Sequence, residues 1–123
     1  MPLEFVPQYS DSSAVYDVEV AVRHTNAFAY STLPLAVDLL GDSTGRYRRY
    51  SVVLELADDY GSWRGTGFGT LYQCHTVVAR GVSPEQARKV VVWHTLADSA
   101  VVHNITDVGI MIKKSIESET YHQ

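Results

Sequence analysis

A glycine stands at every second position of one short segment, 65–69, which reads Gly-Thr-Gly-Phe-Gly. Backbone N–H groups bared in this way can surround a phosphate. A phosphate loop, however, continues through Gly-Lys-Ser/Thr into a helix, whereas residues 71–74 read Leu-Tyr-Gln-Cys, which is typical of a strand. The sequence therefore favours a second interpretation, in which bare backbone allows an aromatic such as Trp63 to pack closely or a bulge to form.

Histidines and acids occur without the spacing that a metal or acid–base site needs. No two of the five histidines lie two apart, as on a strand, or four apart, as on a helix, where both rings reach one zinc ion. Asp58 and Asp59 lie beside a turn, where paired carboxylates can bind calcium or transfer protons. An aspartate in a turn more often bonds its own backbone, so the sequence predicts no metal and no other cofactor. The histidines are His24, His75, His94, His103 and His122.

The nucleophiles of the chain are equally poorly placed for catalysis. No serine lies in a Gly-x-Ser-x-Gly elbow. Cys74, the single cysteine, is followed by His75 within a strand pattern, and neighbouring residues on a strand point to opposite faces. We therefore predict that Cys74 is a buried structural thiol and that the protein is not an enzyme.

A short basic segment alternates with tyrosines, a pattern that single-stranded nucleic acids can bind. The segment contains Arg46, Arg48 and Arg49 with Tyr47 and Tyr50. The whole chain has ten basic and fourteen acidic residues and a net charge of −4, which disfavours a polyanionic partner. A charged strand edge that resists aggregation is the better interpretation, and no nucleic-acid partner is predicted.

Aromatic side chains near loops are the strongest candidates for binding. Such residues can stack on sugar rings or anchor a protein partner, and they can equally cover the open ends of a β-sandwich. The sequence leaves both interpretations open. The residues concerned are Tyr30, Tyr47, Tyr60, Trp63 and Phe68.

Alternation of apolar and polar residues with a period of two dominates the chain and predicts about seven strands. The stretch 90–94 is apolar on both faces and is expected to be a central strand, whereas Pro34 is expected at an edge or a bulge because it lacks an N–H. The alternating apolar positions begin at or near Leu3, Tyr16, Leu33, Tyr50, Tyr72, Val90 and Val108.

One short helical turn near residues 84–88 interrupts the strands. Ser83 can cap it, Pro84 suits its first position, and Gln86 can close a capping box. Many short strands with almost no helix indicate an all-β fold, an antiparallel β-sandwich of jelly-roll-like type.

A chain of 123 residues with 46% apolar side chains is long enough for one domain with its own core. We predict a single domain over 1–123, with a polar tail over 113–123 that frays. The first residues carry neither the basic nor the apolar region of a signal peptide. This leaves two interpretations, a cytoplasmic protein or a domain whose targeting segment lies upstream.

Three stretches, in this order and spacing, match the pattern of one family over roughly residues 3–113. They are Arg23-His24-Thr25 with Tyr30-Ser31-Thr32-Leu33, then Gly61-Ser62-Trp63-Arg64-Gly65-Thr66-Gly67, and finally Asp107-Val108-Gly109. The chain resembles the GldH gliding-motility lipoproteins of Bacteroidetes. Thr32 stands where the family usually has Asn, and a usual Met-Arg pair is replaced around residues 96–97, so the chain resembles a divergent member.

The resemblance implies a non-enzymatic lipoprotein of the cell envelope, exposed to the periplasm or held at the outer membrane. Its partners would be envelope proteins of the gliding or type IX secretion apparatus. Contact with the membrane would be made only through a lipid on an upstream cysteine, since Cys74 lies mid-chain. The natural precursor is therefore expected to carry a signal peptide and a lipidated cysteine before Met1.

The expected contact surface combines aromatics and bare backbone outside the alternating core, within 23–33 and 63–69. The alternative is a carbohydrate-binding sandwich that stacks sugars on Trp63 and the tyrosines. The predicted partner- or ligand-binding residues are Arg23, His24, Tyr30, Trp63, Gly65, Gly67, Phe68 and Gly69.

Overall fold

A computed structural model describes residues 2–26, 31–41, 47–57, 60, 62–68, 71–95 and 104–115, with only the backbone of 66–68. It contains eight strands and a 3-10 helix over Pro84–Gln86. The strands are β1 (Leu3–Phe5), β2 (Tyr16–Thr25), β3 (Thr32–Leu40), β4 (Tyr47–Glu55), β5 (Thr66–Phe68), β6 (Leu71–Val82), β7 (Lys89–His94) and β8 (Ile105–Lys114).

The strands form two four-stranded sheets in which every pair is antiparallel. The first sheet has the order β1-β7-β3-β4 and the second the order β5-β6-β2-β8. The predicted β-sandwich is confirmed, and so is the central position of β7. All seven predicted strands are present, and the additional strand is β5, which lies within the glycine-rich segment.

The core lies between the two sheets and is built from the predicted alternating faces of β2 and β3. The eight apolar side chains of these two strands that face the core are each at most 3% exposed. Full burial of each Val or Leu side chain contributes about 1.5–3 kcal/mol, which makes this apolar layer the main source of stability. The set comprises Tyr16, Val18, Val20, Val22, Leu33, Leu35, Val37 and Leu39.

Pro34 lies in an internal strand, so the expectation that it marks an edge or a bulge was wrong. It pairs with Val53 of β4, while β7 lies on the other side of β3 and ends at His94. The carbonyl of Pro34 accepts a hydrogen bond from the N–H of Thr95 at 3.1 Å. In an antiparallel pair the N–H and carbonyl of one residue face the same neighbour, so the donor that proline lacks falls where β7 has just ended.

The 3-10 helix connects β6 to β7 at the predicted place. The side-chain oxygen of Gln86 accepts a hydrogen bond from the backbone N–H of Ser83 at 2.9 Å, the Gln half of the predicted capping box. No helix among the described residues is long and apolar enough to cross a membrane.

The last strand extends further than the predicted start of the tail at residue 113. β8 continues to Lys114, and the hydroxyl of buried Ser115 donates a hydrogen bond to Asp17 Oδ1 at 2.6 Å. The backbone N–H of Ser115 also donates to the carbonyl of Val15 at 3.0 Å. Pairing with β2 therefore orders 113–115, and the rest of the predicted tail lies outside the described residues.

Candidate functional site

Arg23 and His24 are adjacent on β2 and therefore point to opposite faces of the second sheet. Arg23 lies on the outer face with a side chain that is 55% exposed, and its Nε donates to Gln73 Oε1 at 3.2 Å. Its Nη1 lies 3.9 Å from Asp107 Oδ2. His24 is 0% exposed, so in this fold it supports the surface from beneath and does not form part of it.

The His24 ring lies in an aromatic cluster that we define as His24, Trp63 and Tyr72. His24 and Tyr72 are paired across β2 and β6, with ring centroids 5.7 Å apart and planes at 21°. Trp63 lies 4.7 Å from the His24 ring and 5.8 Å from the Tyr72 ring. Each such contact adds about 0.5–1.5 kcal/mol to the burial of the rings, so the aromatic cluster stabilises this end of the sandwich.

Trp63 reaches the cluster from the connection between β4 and β5. An isolated bridge joins it to Ala57, and the N–H of Arg64 donates to the carbonyl of Leu56 at 2.7 Å. Leu56 itself is fully buried. The bridge closes a loop around Tyr60, whose side chain is 95% exposed, so one aromatic is anchored while another is presented to solvent.

Gly65 lies against the backbone of β6. A Cβ at this position would be 2.4 Å from the carbonyl oxygen of Gln73 and 2.8 Å from Cys74 Sγ. Only a residue without a side chain fits this approach. The close contact at Gly65 is therefore with the backbone of β6 and the Cys74 sulfur, not with an aromatic ring as the sequence suggested, and it brings the adjoining chain onto β6.

The remaining predicted residues of the surface are described only in part. Gly67 and Phe68 form backbone pairs with Tyr72 and Leu71 in β5 and β6. Tyr30 and Gly69 lie outside the described residues, and so do both aspartates 58 and 59 and the histidines 103 and 122.

Histidine, acid and cysteine side chains are the groups that could bind a metal ion or act as nucleophiles. No group of three or more His, Cys, Asp or Glu that could hold a metal ion occurs within the described ranges. Cys74 is buried, as predicted, and burial raises the pKa of its thiol. A raised pKa keeps the thiol protonated and therefore a poor nucleophile.

Arg49, from the predicted basic segment, is bound within the protein. Its Nε and Nη2 donate to the two carboxylate oxygens of Asp38 at 2.8 and 3.1 Å. Its guanidinium also lies 4.7 Å from the ring centre of Trp93. This two-point contact neutralises Arg49 on the outer face of the first sheet.

On the outer face of the second sheet, a nearly buried carboxylate lies between a histidine and a lysine. The Glu19 side chain is 9% exposed, and its oxygens lie 2.9 Å from His75 Nδ1 and 3.2 Å from Lys113 Nζ. Burial opposes ionisation, but the hydrogen bonds and charges of Lys113 and His75 outweigh it and lower the pKa of Glu19.

We expect Glu19 to make folding stability depend on acid pH. A carboxyl whose folded pKa is lowered contributes stability above its unfolded pKa of about 4.3, and this contribution is lost as pH falls through the lower folded value. Urea unfolding of the native chain and of Glu19→Gln, measured from neutral pH to about pH 3, should give curves that converge in acid. Curves that stay parallel would contradict this role.

The sequence did not indicate Tyr72, Gln73 and Cys74 as neighbours of the candidate site. The pattern assigned Tyr72 and Cys74 to one strand face, but the register between β2 and β6 decides that Tyr72 meets His24 and Gln73 meets Arg23. The pairing of β5 with β6 in turn brings Gly65 against Gln73 and Cys74. The available signal was limited to the apolar alternation of β6, which assigns faces and not partners.

The two antiparallel sheets make this chain a β-sandwich domain, and the aromatic cluster of His24, Trp63 and Tyr72 packs at one end of it. A family model described as GldH lipoprotein matches residues 1–112, and the chain therefore belongs to the GldH lipoprotein family. It is a GldH-like lipoprotein domain, of a family whose name places it at the cell envelope. Among curated proteins and among solved structures, nothing matches the chain.

Proposed function

We propose that this chain is a non-enzymatic accessory domain that acts at the cell envelope through protein–protein contacts. Its partners are components of a gliding or type IX secretion apparatus. The observation that carries the proposal is the match to the GldH lipoprotein family, which spans residues 1–112 and so covers nearly the whole sandwich.

The contact surface is the end of the sandwich around the aromatic cluster. Tyr60 is almost fully exposed and lies between Ala57 and Trp63, which a bridge joins, and exposed tyrosines are frequent anchors for a protein partner. Arg23 precedes His24 near the end of β2 and adds an exposed charged group close to the aromatic cluster. Aromatic and arginine side chains are the residues most enriched at the energetic centres of interfaces.

The test replaces the chromosomal gene with a variant that carries both Arg23→Glu and Tyr60→Ala. Because both side chains are exposed, the domain should fold normally and reach its usual level. We expect less type IX cargo in the culture medium, or slower spreading if the organism glides, together with loss of envelope proteins that copurify with the native chain.

The matched control is Tyr47→Ala. Tyr47 is also exposed, at 56%, but it begins β4, whereas the loop of Tyr60 follows the far end of that strand. It should leave cargo, spreading and copurification unchanged. A complete deletion of the gene that alters neither secretion nor spreading would overturn the proposed role.

A carbohydrate-binding module is the competing proposal, and calorimetry separates the two. In the sandwich Trp63 already has the rings of His24 and Tyr72 against it, which reduces the ring surface left for a sugar. Saturable glycan binding that disappears in Trp63→Ala, with the protein contacts intact, would replace the proposal above by the carbohydrate module.

A further inference from the structure

The second sheet ends in a long strand that has a neighbour on one side only. Among the described residues, β8 pairs with β2 and no strand lies on its other side. Its middle, residues 108–112, reads Val-Gly-Ile-Met-Ile, without charge or proline, and every one of these residues is half-buried. Natural proteins usually protect such an edge with charges, proline, bulges or shortness, and this part of β8 has none of them.

We propose that two copies of this chain pair through β8 in antiparallel orientation, with Ile110 opposite Ile110 of the second copy. The two second sheets then become one continuous sheet across a twofold axis. Each copy supplies the same surface, as a twofold interface requires. The pairing does not depend on the proposed function.

The sequence of β8 is complementary to itself in this register. On the outer face Asp107 lies opposite Lys113 of the second copy, and the reciprocal pair repeats the contact. On the inner face Val108 lies opposite Ile112 of the second copy. Opposite charges and apolar pairs placed directly across two strands each stabilise a sheet, and here every pair from 106 to 114 avoids a like-charge contact.

Gly109 and Met111 complete the outer face of the proposed interface. In the proposed register, Gly109 of one copy lies opposite Met111 of the second copy. A Cβ built on Gly109 would meet nothing within 4 Å in the single chain. The long and flexible side chain of Met111 of the second copy fits over this open space. The glycine thus has a use in the pair that it lacks in the single chain.

Registers displaced along the strand lose these matches. Centring the pair on Gly109 places Asp107 opposite Met111 and Ile105 opposite Lys113. Centring it on Met111 places Val108 opposite Lys114. In either arrangement a charge faces an apolar side chain, so the register centred on Ile110 is the one that the residues select.

The other long edge strand, β4, offers a poorer surface. Its best register is centred on Val52 and places Arg49 opposite Glu55, but it spans only 49–55 and pairs Ser51 with Val53. Arg49 is also held by both oxygens of Asp38, whereas Asp107 and Lys113 of β8 each have one ion-pair contact, at 3.9 Å with Arg23 and at 3.2 Å with Glu19. Pairing through β4 is therefore the alternative that the experiment must separate from pairing through β8.

Sedimentation equilibrium over a series of concentrations tests the proposal with two matched charge reversals. Asp107→Lys puts a lysine opposite Lys113 of the second copy at both symmetric positions. Glu55→Lys makes the same change on β4. The two carboxylates are equally exposed, at 61%, and each lies near one arginine, so any cost to the fold is similar and small.

We expect the native chain to reach twice its monomer mass as concentration rises. Asp107→Lys should raise the dimer dissociation constant about tenfold or more, and Glu55→Lys should leave it unchanged. A monomer at every concentration overturns the proposal, and so does a dimer that Asp107→Lys does not weaken, whatever the effect of Glu55→Lys. Circular dichroism of both variants verifies that each is folded.

The register has its own test by disulfide formation. Chains carrying Asp107→Cys are mixed with chains carrying Lys113→Cys under mild oxidation, while native Cys74 stays buried. A covalent dimer should form in the mixture and not with either variant alone, because like positions lie roughly 20 Å apart along the paired strands. A mixture that stays uncrosslinked would overturn the pairing centred on Ile110.

Discussion

Gly65→Ala should cost about 3 kcal/mol of unfolding free energy, near the top of the range for overpacking a well-filled site. The added methyl would lie 2.4 Å from the carbonyl oxygen of Gln73 and 2.9 Å from its carbonyl carbon. These are backbone atoms of β6, a strand held by β2 on one side and β5 on the other. Relief therefore requires movement of a strand and not of one flexible side chain.

The matching control is Gly109→Ala. A methyl on Gly109 meets nothing within 4 Å, so this change should be neutral or should stabilise by up to about 1 kcal/mol, since alanine restricts the unfolded chain. Urea unfolding of both variants, at a concentration low enough to keep the chain monomeric, gives the comparison. Equal stabilities for the two variants would show that the contact of Gly65 with β6 is not close.

The strands were predictable because a strand that is buried on one face has apolar residues at every second position. Leu33, Leu35 and Val37 show the period of two, and all three are nearly inaccessible to solvent in the sandwich. The three-residue strand β5 was not predicted because the glycines at every second position of 65–69 give no alternation of apolar and polar side chains. The expectation for Pro34 was wrong because a residue without an N–H needs only a missing strand partner on that side, and β7 ends beside Pro34 within the sheet.

The candidate surface was less predictable because it depends on register, which one sequence does not fix. The alternation assigns Arg23 and His24 to opposite faces, but only the pairing of β2 with β6 reveals that Tyr72 faces His24. Trp63 joins them through the bridge with Ala57. A sequence motif that appears to be one surface is therefore divided between an exposed Arg23 and a fully buried His24, which packs against the half-buried rings of Trp63 and Tyr72.

His24→Ala should destabilise the fold by about 3 kcal/mol, which is within the range for truncating large buried side chains. The ring is fully buried, and it contacts both Trp63 and Tyr72. Its removal leaves a cavity between β2, β6 and the β4–β5 connection, and it leaves one side of Trp63 without a neighbour. The loop of Tyr60 should loosen together with Trp63, which faster hydrogen exchange at residues 62–64 would report.

Two further variants identify the source of the loss. His75→Ala removes a histidine from the same sheet, but that side chain is 54% exposed and Lys113 still pairs with Glu19, so we expect a loss of only about 1 kcal/mol. His24→Leu restores most of the volume without the ring and should recover at least half of the stability lost in His24→Ala, because filling the cavity removes the larger part of the cost. If His24→Leu is as unstable as His24→Ala, then the ring contacts and the 2.9 Å hydrogen bond between Nδ1 and the carbonyl of Thr25 hold this end of the sandwich more strongly than burial does.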